Sequence, residues 1–201
     1  MKTLIIVDFQ YDFFNPNGAL YVNGSEKVEE ELSQYIKVST DIDEVIFTVD
    51  WHAPGHCSFK TNGGEWPMHC VQFTEGAGIS QKLMNSCIEK GITVKVFKKG
   101  NCEDEEEYGA FDHMRLCKDG EQYRIEVNNI SNSSKQFIDN SDIEICGIAL
   151  DYCVLNTAKN LLEKSSLIGG ISVTLLGKFC PCIGNRQEAL DAIKGYGAII
   201  K

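Results

Sequence analysis

Five short runs of the sequence are apolar on both faces: TLIIVD at 3–8, EVIFTVD at 44–50, TVKVF at 93–97, IEICGI at 143–148 and ISVTLL at 171–176. A strand with one face in water alternates apolar and polar side chains, so runs of this kind belong in a parallel sheet covered by helices on either side. Patterns of helical period lie between them. Val28, Leu32 and Ile36 recur every four positions, with Ser25 as a candidate cap, and Val154, Ala158, Leu161 and Leu162 form a second apolar stripe. Asn185 followed by Glu188 reads as a capping box ahead of Ala189, Leu190 and Ile193. The alternation predicts an α/β fold, a doubly wound and mainly parallel sheet with helices on both faces. A length of 201 residues suits one domain spanning 1–201.

Composition narrows the function. A formal charge of -10 and the absence of any cluster of Lys and Arg argue against a nucleic-acid partner. No window approaches the ~20 apolar residues of a membrane span. Asp8 interrupts the apolar start of the chain before it reaches the length of an export segment, so the expected location is the cytoplasm. Nine scattered cysteines form no disulfide framework, and most read as small buried hydrophobes. Cys180 and Cys182, which flank Pro181, read as a loop feature.

In an open parallel sheet, ligands sit beyond the carboxyl ends of the strands. The long segment 51–79 shows little periodicity, and loops of that length in a compact domain are usually functional. It opens with DWHAPGHCSF, placing Asp50, His52 and His56 within seven positions, and His69 follows in WPMHC. Three of the four histidines thus gather beside one carboxylate, a donor set suited to a divalent transition metal. Asp50 and His52 are two apart and face one way on an extended strand end, and the turn at Pro54 and Gly55 can fold His56 back. Zinc is the first choice for this set, with iron or manganese as alternatives.

Other strand tips bring further chemistry. Asp8 closes the first run, where a carboxylate is expensive unless paired or functional, and is placed to accept a proton. Lys99 in FKKG is the candidate counter-cation, with Lys98 the alternative, and strand alternation sends the two to opposite faces. Cys153 follows IEICGI at the start of a helix, where the partial positive charge lowers a thiol pKa and free N–H groups can hold an oxyanion. The acidic run EDEEE reads as a solvated helix start and DGEQYRIEV as a hairpin, while His113 reads as a surface residue.

The segments IIVDFQYDFF, DWHAPGHCSF, WPMHCVQFTEGA, FKKG, YGAFD and CGIALDYCV, taken in order, resemble the nicotinamidases and pyrazinamidases of the isochorismatase-like cysteine hydrolases. The resemblance implies a catalytic triad of Asp8, Lys99 and Cys153, and a metal held by Asp50, His52, His56 and His69. It implies a cis peptide between Ile148 and Ala149 at the substrate, with the N–H groups of Ala149 and Cys153 forming the oxyanion hole. Phe13 and Trp66 match the positions that sandwich a pyridine ring. A six-stranded sheet in the order 3-2-1-4-5-6 follows if the closing GAII supplies the sixth strand. The implied activity is hydrolysis of nicotinamide, and of pyrazinamide, through a thioester on Cys153, by an enzyme compatible with a homo-oligomer. The rival readings are a metal-free isochorismatase-like hydrolase of another small amide and a non-catalytic pyridine-binding protein. The sequence departs from the family at Leu150, where a threonine is usual, and over 112–130, which matches poorly.

Overall fold

The computed structural model describes residues 2–111, 114–119, 122–127, 136–138, 142–165 and 171–201; His113 lies outside them. The chain begins with strand β1 (Lys2–Val7), a single turn α1 (Tyr11–Phe14), helix α2 (Ser25–Val38) and strand β2 (Ile42–Asp50). After a long loop come α3 (Gln81–Lys90) and β3 (Thr93–Lys99). Three strands, β4 (Met114–Asp119), β5 (Gln122–Val127) and β6 (Gln136–Ile138), form a separate antiparallel sheet that extends the expected hairpin by one strand. The doubly wound pattern resumes with β7 (Asp142–Gly147), α4 (Leu155–Ser165), β8 (Ser172–Leu175), α5 (Arg186–Gly195) and β9 (Ile199–Ile200).

The main sheet has six strands in the order β3-β2-β1-β7-β8-β9, every neighbouring pair parallel, with GAII supplying the last. Leu4, Ile5, Ile6, Val45, Ile46 and Phe47 are wholly buried, as strands covered on both faces must be. Helix α2 packs with α3 and α4 with α5, two pairs that flank the sheet. Each helix turns its apolar stripe inward: Leu32 and Ile36 from α2, Ala158 and Leu161 from α4, Ala189 and Ile193 from α5. Asn185 caps α5 by accepting from the N–H groups of Gln187 and Glu188. Ser25 does not cap α2. It is the first helical residue after Gly24, and its hydroxyl donates back to the Val22 carbonyl.

Two features of the sheet decide where its strands deliver their side chains. Parallel register sets Asp50 directly opposite Lys99 at the ends of β2 and β3, so that these side chains emerge together. At the centre, Val7 pairs with Gly147, which has φ 129° and no room for a side chain: a Cβ there would lie 2.1 Å from the Val7 carbonyl oxygen. The same carbonyl accepts from the N–H of Ile148 at 2.9 Å. Close approach of these backbones brings the exits of β1 and β7 side by side. Gly147→Ala is expected to destabilise the fold by about 1–3 kcal/mol, the usual penalty for forcing extra atoms into a packed core. Equilibrium denaturation measures it, and a variant as stable as the parent would contradict this account of the strand exits.

Candidate active site

Asp8 lies one residue beyond β1, in the left-handed region at φ 48°, which turns its carboxylate back across the strand ends. It is wholly buried. Its Oδ1 accepts from the Thr48 hydroxyl at 2.7 Å, and its Oδ2 lies 2.9 Å from Lys99 Nζ. That contact is a buried ion pair, and the Asp8 carboxylate also lies beside the Cys153 thiol. The Lys99 ammonium also reaches Asp50 Oδ1, the Glu107 carbonyl at 3.2 Å and Cys153 Sγ at 3.5 Å. Potential ligand atoms of Asp8, Asp50 and Cys153 all lie within 4.8 Å of one another. Lys98 points the other way, with its ammonium 3.8 Å from the centre of the Trp51 ring, so Lys99 is the lysine at the site.

The electrostatics derive from burial. Burial pushes the Asp8 carboxyl above its ordinary range, against the pull of Lys99. Asp50 is also buried, yet Lys99, then His52 and His69, hold it well below the usual carboxylate range. For Lys99, the loss of water works against the charged form, but Asp50 and Asp8 raise the ammonium well above its ordinary value. Cys153 departs from expectation. It sits in a π-helical turn, Leu150–Val154, ahead of α4, but burial raises its thiol well above the free value despite Lys99. Loss of hydration, with the nearby Asp8 and Asp50 carboxylates, outweighs the pull of Lys99 and favours the thiol over the thiolate.

Beside this group lie the histidines. His52 Nδ1 pairs with the Gly100 carbonyl at 2.9 Å, His69 Nδ1 with the Pro67 carbonyl at 2.8 Å and His56 Nδ1 with the Ser58 hydroxyl at 2.8 Å. Each ring is thereby fixed by one nitrogen and presents the other, the arrangement found behind metal-bound imidazoles. The Nε2 atoms of His52 and His69 lie 3.5 and 3.9 Å from Asp50 Oδ2, and ligand atoms of these three residues fall within 4.8 Å of one another. His56 lies outside that group, but its ring centre is 4.1 Å from that of His52, and its Nε2 is buried without a partner. Burial pushes His56 down to about 4 and lowers His69, keeping both neutral as ligands must be. Burial also acts to lower His52, but the Asp50 carboxylate draws it upward more strongly, and the same negative charge would attract a cation. One orphaned imidazole nitrogen, two inward-facing neighbours and a carboxylate oxygen fit a divalent ion.

A pocket with about 390 Å³ of empty space, continuous with solvent, reaches Asp50, His69 and Cys153 between Phe13, Trp66, Tyr108 and Tyr152. Trp66 is held by donating from Nε1 to the Tyr108 hydroxyl at 3.0 Å, and Phe13 stands 5.5 Å from the His69 ring. Ala149 lines the same pocket, and the Ile148–Ala149 peptide is cis. Leu150, the departure from the family pattern, is buried, and its N–H donates to the Pro181 carbonyl at 2.8 Å.

The reading of EDEEE as a solvated helix start is wrong at its end. The run is not helical: Glu106 lines the pocket, and Glu107 receives the Gly100 N–H at 2.8 Å while its carbonyl binds Lys99. The strand tip at Lys99 and Gly100 captures these residues, which composition alone could not reveal. Thr48, too, gives no signal, because a threonine inside an apolar strand reads as packing.

No family model matches the chain. It is 32% identical over 167 residues to the nicotinamidase/pyrazinamidase of Mycobacterium tuberculosis, covering 82% of this chain and 80% of that one. The chain belongs to the nicotinamidase/pyrazinamidase family. Among solved structures, the yeast nicotinamidase bound to the inhibitor nicotinaldehyde superposes with a TM-score of 0.77 at 25% identity, covering 100% of this chain and 99% of that one. The pyrazinamidase of Pyrococcus horikoshii in complex with zinc gives 0.69 at 28% identity, covering 100% and 98%. The fold is the isochorismatase-like fold of these nicotinamidases.

Because Lys99 compensates two buried carboxylates, Lys99→Met is expected to destabilise the protein by about 3–5 kcal/mol, as when one partner of a buried ion pair is removed. The lysine is raised, so its contribution is present throughout neutral pH and is lost only as pH climbs through its elevated folded value. Urea denaturation at pH 7 tests this; a loss below about 1 kcal/mol, the scale of an exposed ion pair, would refute the role of Lys99 as the shared counter-charge.

Proposed function

We propose that this protein hydrolyses nicotinamide to nicotinate and ammonia, and pyrazinamide likewise, with Cys153 as nucleophile. The observation that carries the proposal is the convergence of Asp8, Lys99 and Cys153 at one pocket floor, beside a donor set fit for a cation. The Cys153 thiol rests protonated, and the Asp8 carboxylate beside it is its proton acceptor. Burial makes Asp8 a stronger base than an exposed carboxylate, while Lys99 and Thr48 favour the ionised form. As sulfur adds to the carboxamide carbon, the proton passes to Asp8, and the N–H groups of Ala149 and Cys153 receive the developing oxyanion. Lys99 stabilises charge on sulfur. Asp8 then returns the proton to the departing ammonia, leaving a thioester, and deprotonates the water that cleaves it to nicotinate.

Phe13 and Trp66 would flank the ring, with Ile148 and Ala149 at the reacting carbonyl. Asp50, His52, His56 and His69 would hold a divalent cation, zinc first among the candidates, with iron or manganese accepted by the same donors. When bound, the ion supplies a Lewis-acid point for the ring nitrogen. Fixing the ring in this way orients the carboxamide against sulfur, a contribution of several kcal/mol in well-aligned systems.

No described helix is long and apolar enough to cross a membrane. Cys57, Cys70, Cys87, Cys102, Cys146, Cys153, Cys180 and Cys182 are free, and we place the protein in the cytoplasm, where thiols stay reduced.

Cys153→Ala is expected to abolish ammonia release from nicotinamide and pyrazinamide while metal content, read by elemental analysis, stays at the wild-type level. Retained turnover would refute the nucleophile. A wild-type protein active without metal would instead favour a metal-free hydrolase, and one that binds nicotinamide without releasing ammonia a binding module. Thr48→Val removes a hydrogen bond that favours ionised Asp8, so the acid limb of the pH–kcat/KM profile should move to higher pH. An unmoved limb would remove Asp8 from the role of base.

A further inference from the structure

Two polar side chains on the turn out of β1 take no part in these steps, yet one is committed to the backbone of a cation donor, Asp50, and the other to the residue next to a second donor, Cys70 beside His69. Gln10 is wholly buried, and its carboxamide behaves as an added piece of strand. Its Oε1 accepts from the Asp50 N–H at 2.8 Å, and its Nε2 donates to the Asp50 carbonyl at 2.8 Å and to the Ala77 carbonyl at 3.0 Å. Both backbone groups of Asp50 are therefore gripped by one side chain, just where β2 ends. A neutral amide of this length offers a donor and an acceptor at once; a carboxylate of the same shape does not.

Asp12 does the same for the other half of the donor set. Its Oδ2 accepts from the Cys70 N–H at 2.7 Å, and its Oδ1 from the Ala19 N–H at 3.0 Å. Cys70 follows His69, holds a left-handed φ of 46°, and accepts the His52 N–H on its carbonyl at 3.1 Å. Asp12 thus fixes a residue through which the backbones of His69 and His52 are joined. The fit is close: a Cβ on Gly76 would fall 2.1 Å from Asp12 Oδ2.

We infer that Gln10 and Asp12 are positioning residues for the divalent cation, setting its affinity by locking the backbones that carry Asp50, His52 and His69. The inference rests on the cation site proposed above. Side-chain donors hold an ion only as rigidly as their own backbones are held, and outer-shell partners of metal ligands commonly govern about 10–100-fold in affinity. The turn that places Asp8 for proton transfer is in this way also the brace of the cation site.

The test uses Gln10→Glu, which loses both N–H donors and sets a carboxylate against two carbonyls, and Asp12→Asn, which sets an N–H donor against a backbone N–H. Zinc affinity is read by competition with a chromogenic chelator, and donor geometry by the visible absorption of the Co(II)-loaded protein. Each folded variant is expected to bind zinc about 10–100-fold more weakly and to show an altered Co(II) spectrum. Folded variants with wild-type affinity and spectrum would overturn the inference. If neither variant folds, hydrogen exchange in the wild-type protein decides: zinc loading should slow exchange of the Gln10 carboxamide and of the Asp50 and Cys70 amides, and identical rates with and without zinc would overturn it. A wild-type protein that takes up neither ion overturns the cation site and this inference together. Wild-type uptake with unaltered variants overturns this inference alone.

Discussion

One ammonium group organises the centre of this molecule. Lys99 lies between the carboxylates of Asp8 and Asp50, both buried, and no other lysine or arginine among the described residues is paired with either. Without it, two like charges would face each other away from water, and at least one would take up a proton. With it, the two part company: Lys99, His52 and His69 hold Asp50 firmly ionised, while burial raises Asp8 against the pull of the same lysine, a separation that suits the fixed charge and the proton acceptor proposed above.

The sheet makes that arrangement possible. Parallel register delivers Asp50 and Lys99 as direct neighbours, and the close approach of Gly147 to Val7 brings the turn that carries Cys153 against the exit of β1. The opposite edge carries a buried charge of another kind. Glu144 there accepts from the Tyr35 hydroxyl at 2.5 Å and from Lys2 at 3.1 Å. That carboxylate is paired with a lysine and a phenol, whereas Asp8 shares Lys99 with Asp50 and lies beside the Cys153 thiol.

Much of the framework is legible in the residues. Strands apolar on both faces can be nothing but a covered parallel sheet, and its carboxyl ends name the side to inspect. The structure brings His52 and His69 to Asp50, with His56 against His52, and the strand alternation sends Lys98 and Lys99 apart. What escapes depends on contacts between distant segments. The acidic run looks solvated because charge alone gives no hint that Gly100 binds Glu107. Gln10 and Asp12 look like ordinary loop residues, since a side chain that completes a ladder leaves no period of its own. A thiol at a helix start is expected to ionise, but burial, which no local pattern reveals, outweighs that effect.

Gly100 adopts φ 62°, and a methyl group there would stand 2.4 Å from the His52 ring; its carbonyl orients that ring, while Lys99 before it pairs with Asp8. The strand tip is therefore a single lever with two loads. A displacement of this tip on filling the pocket would alter the imidazole and the ammonium at once, so a guest in the cleft and an ion beside it must influence each other's binding by the same factor in both directions.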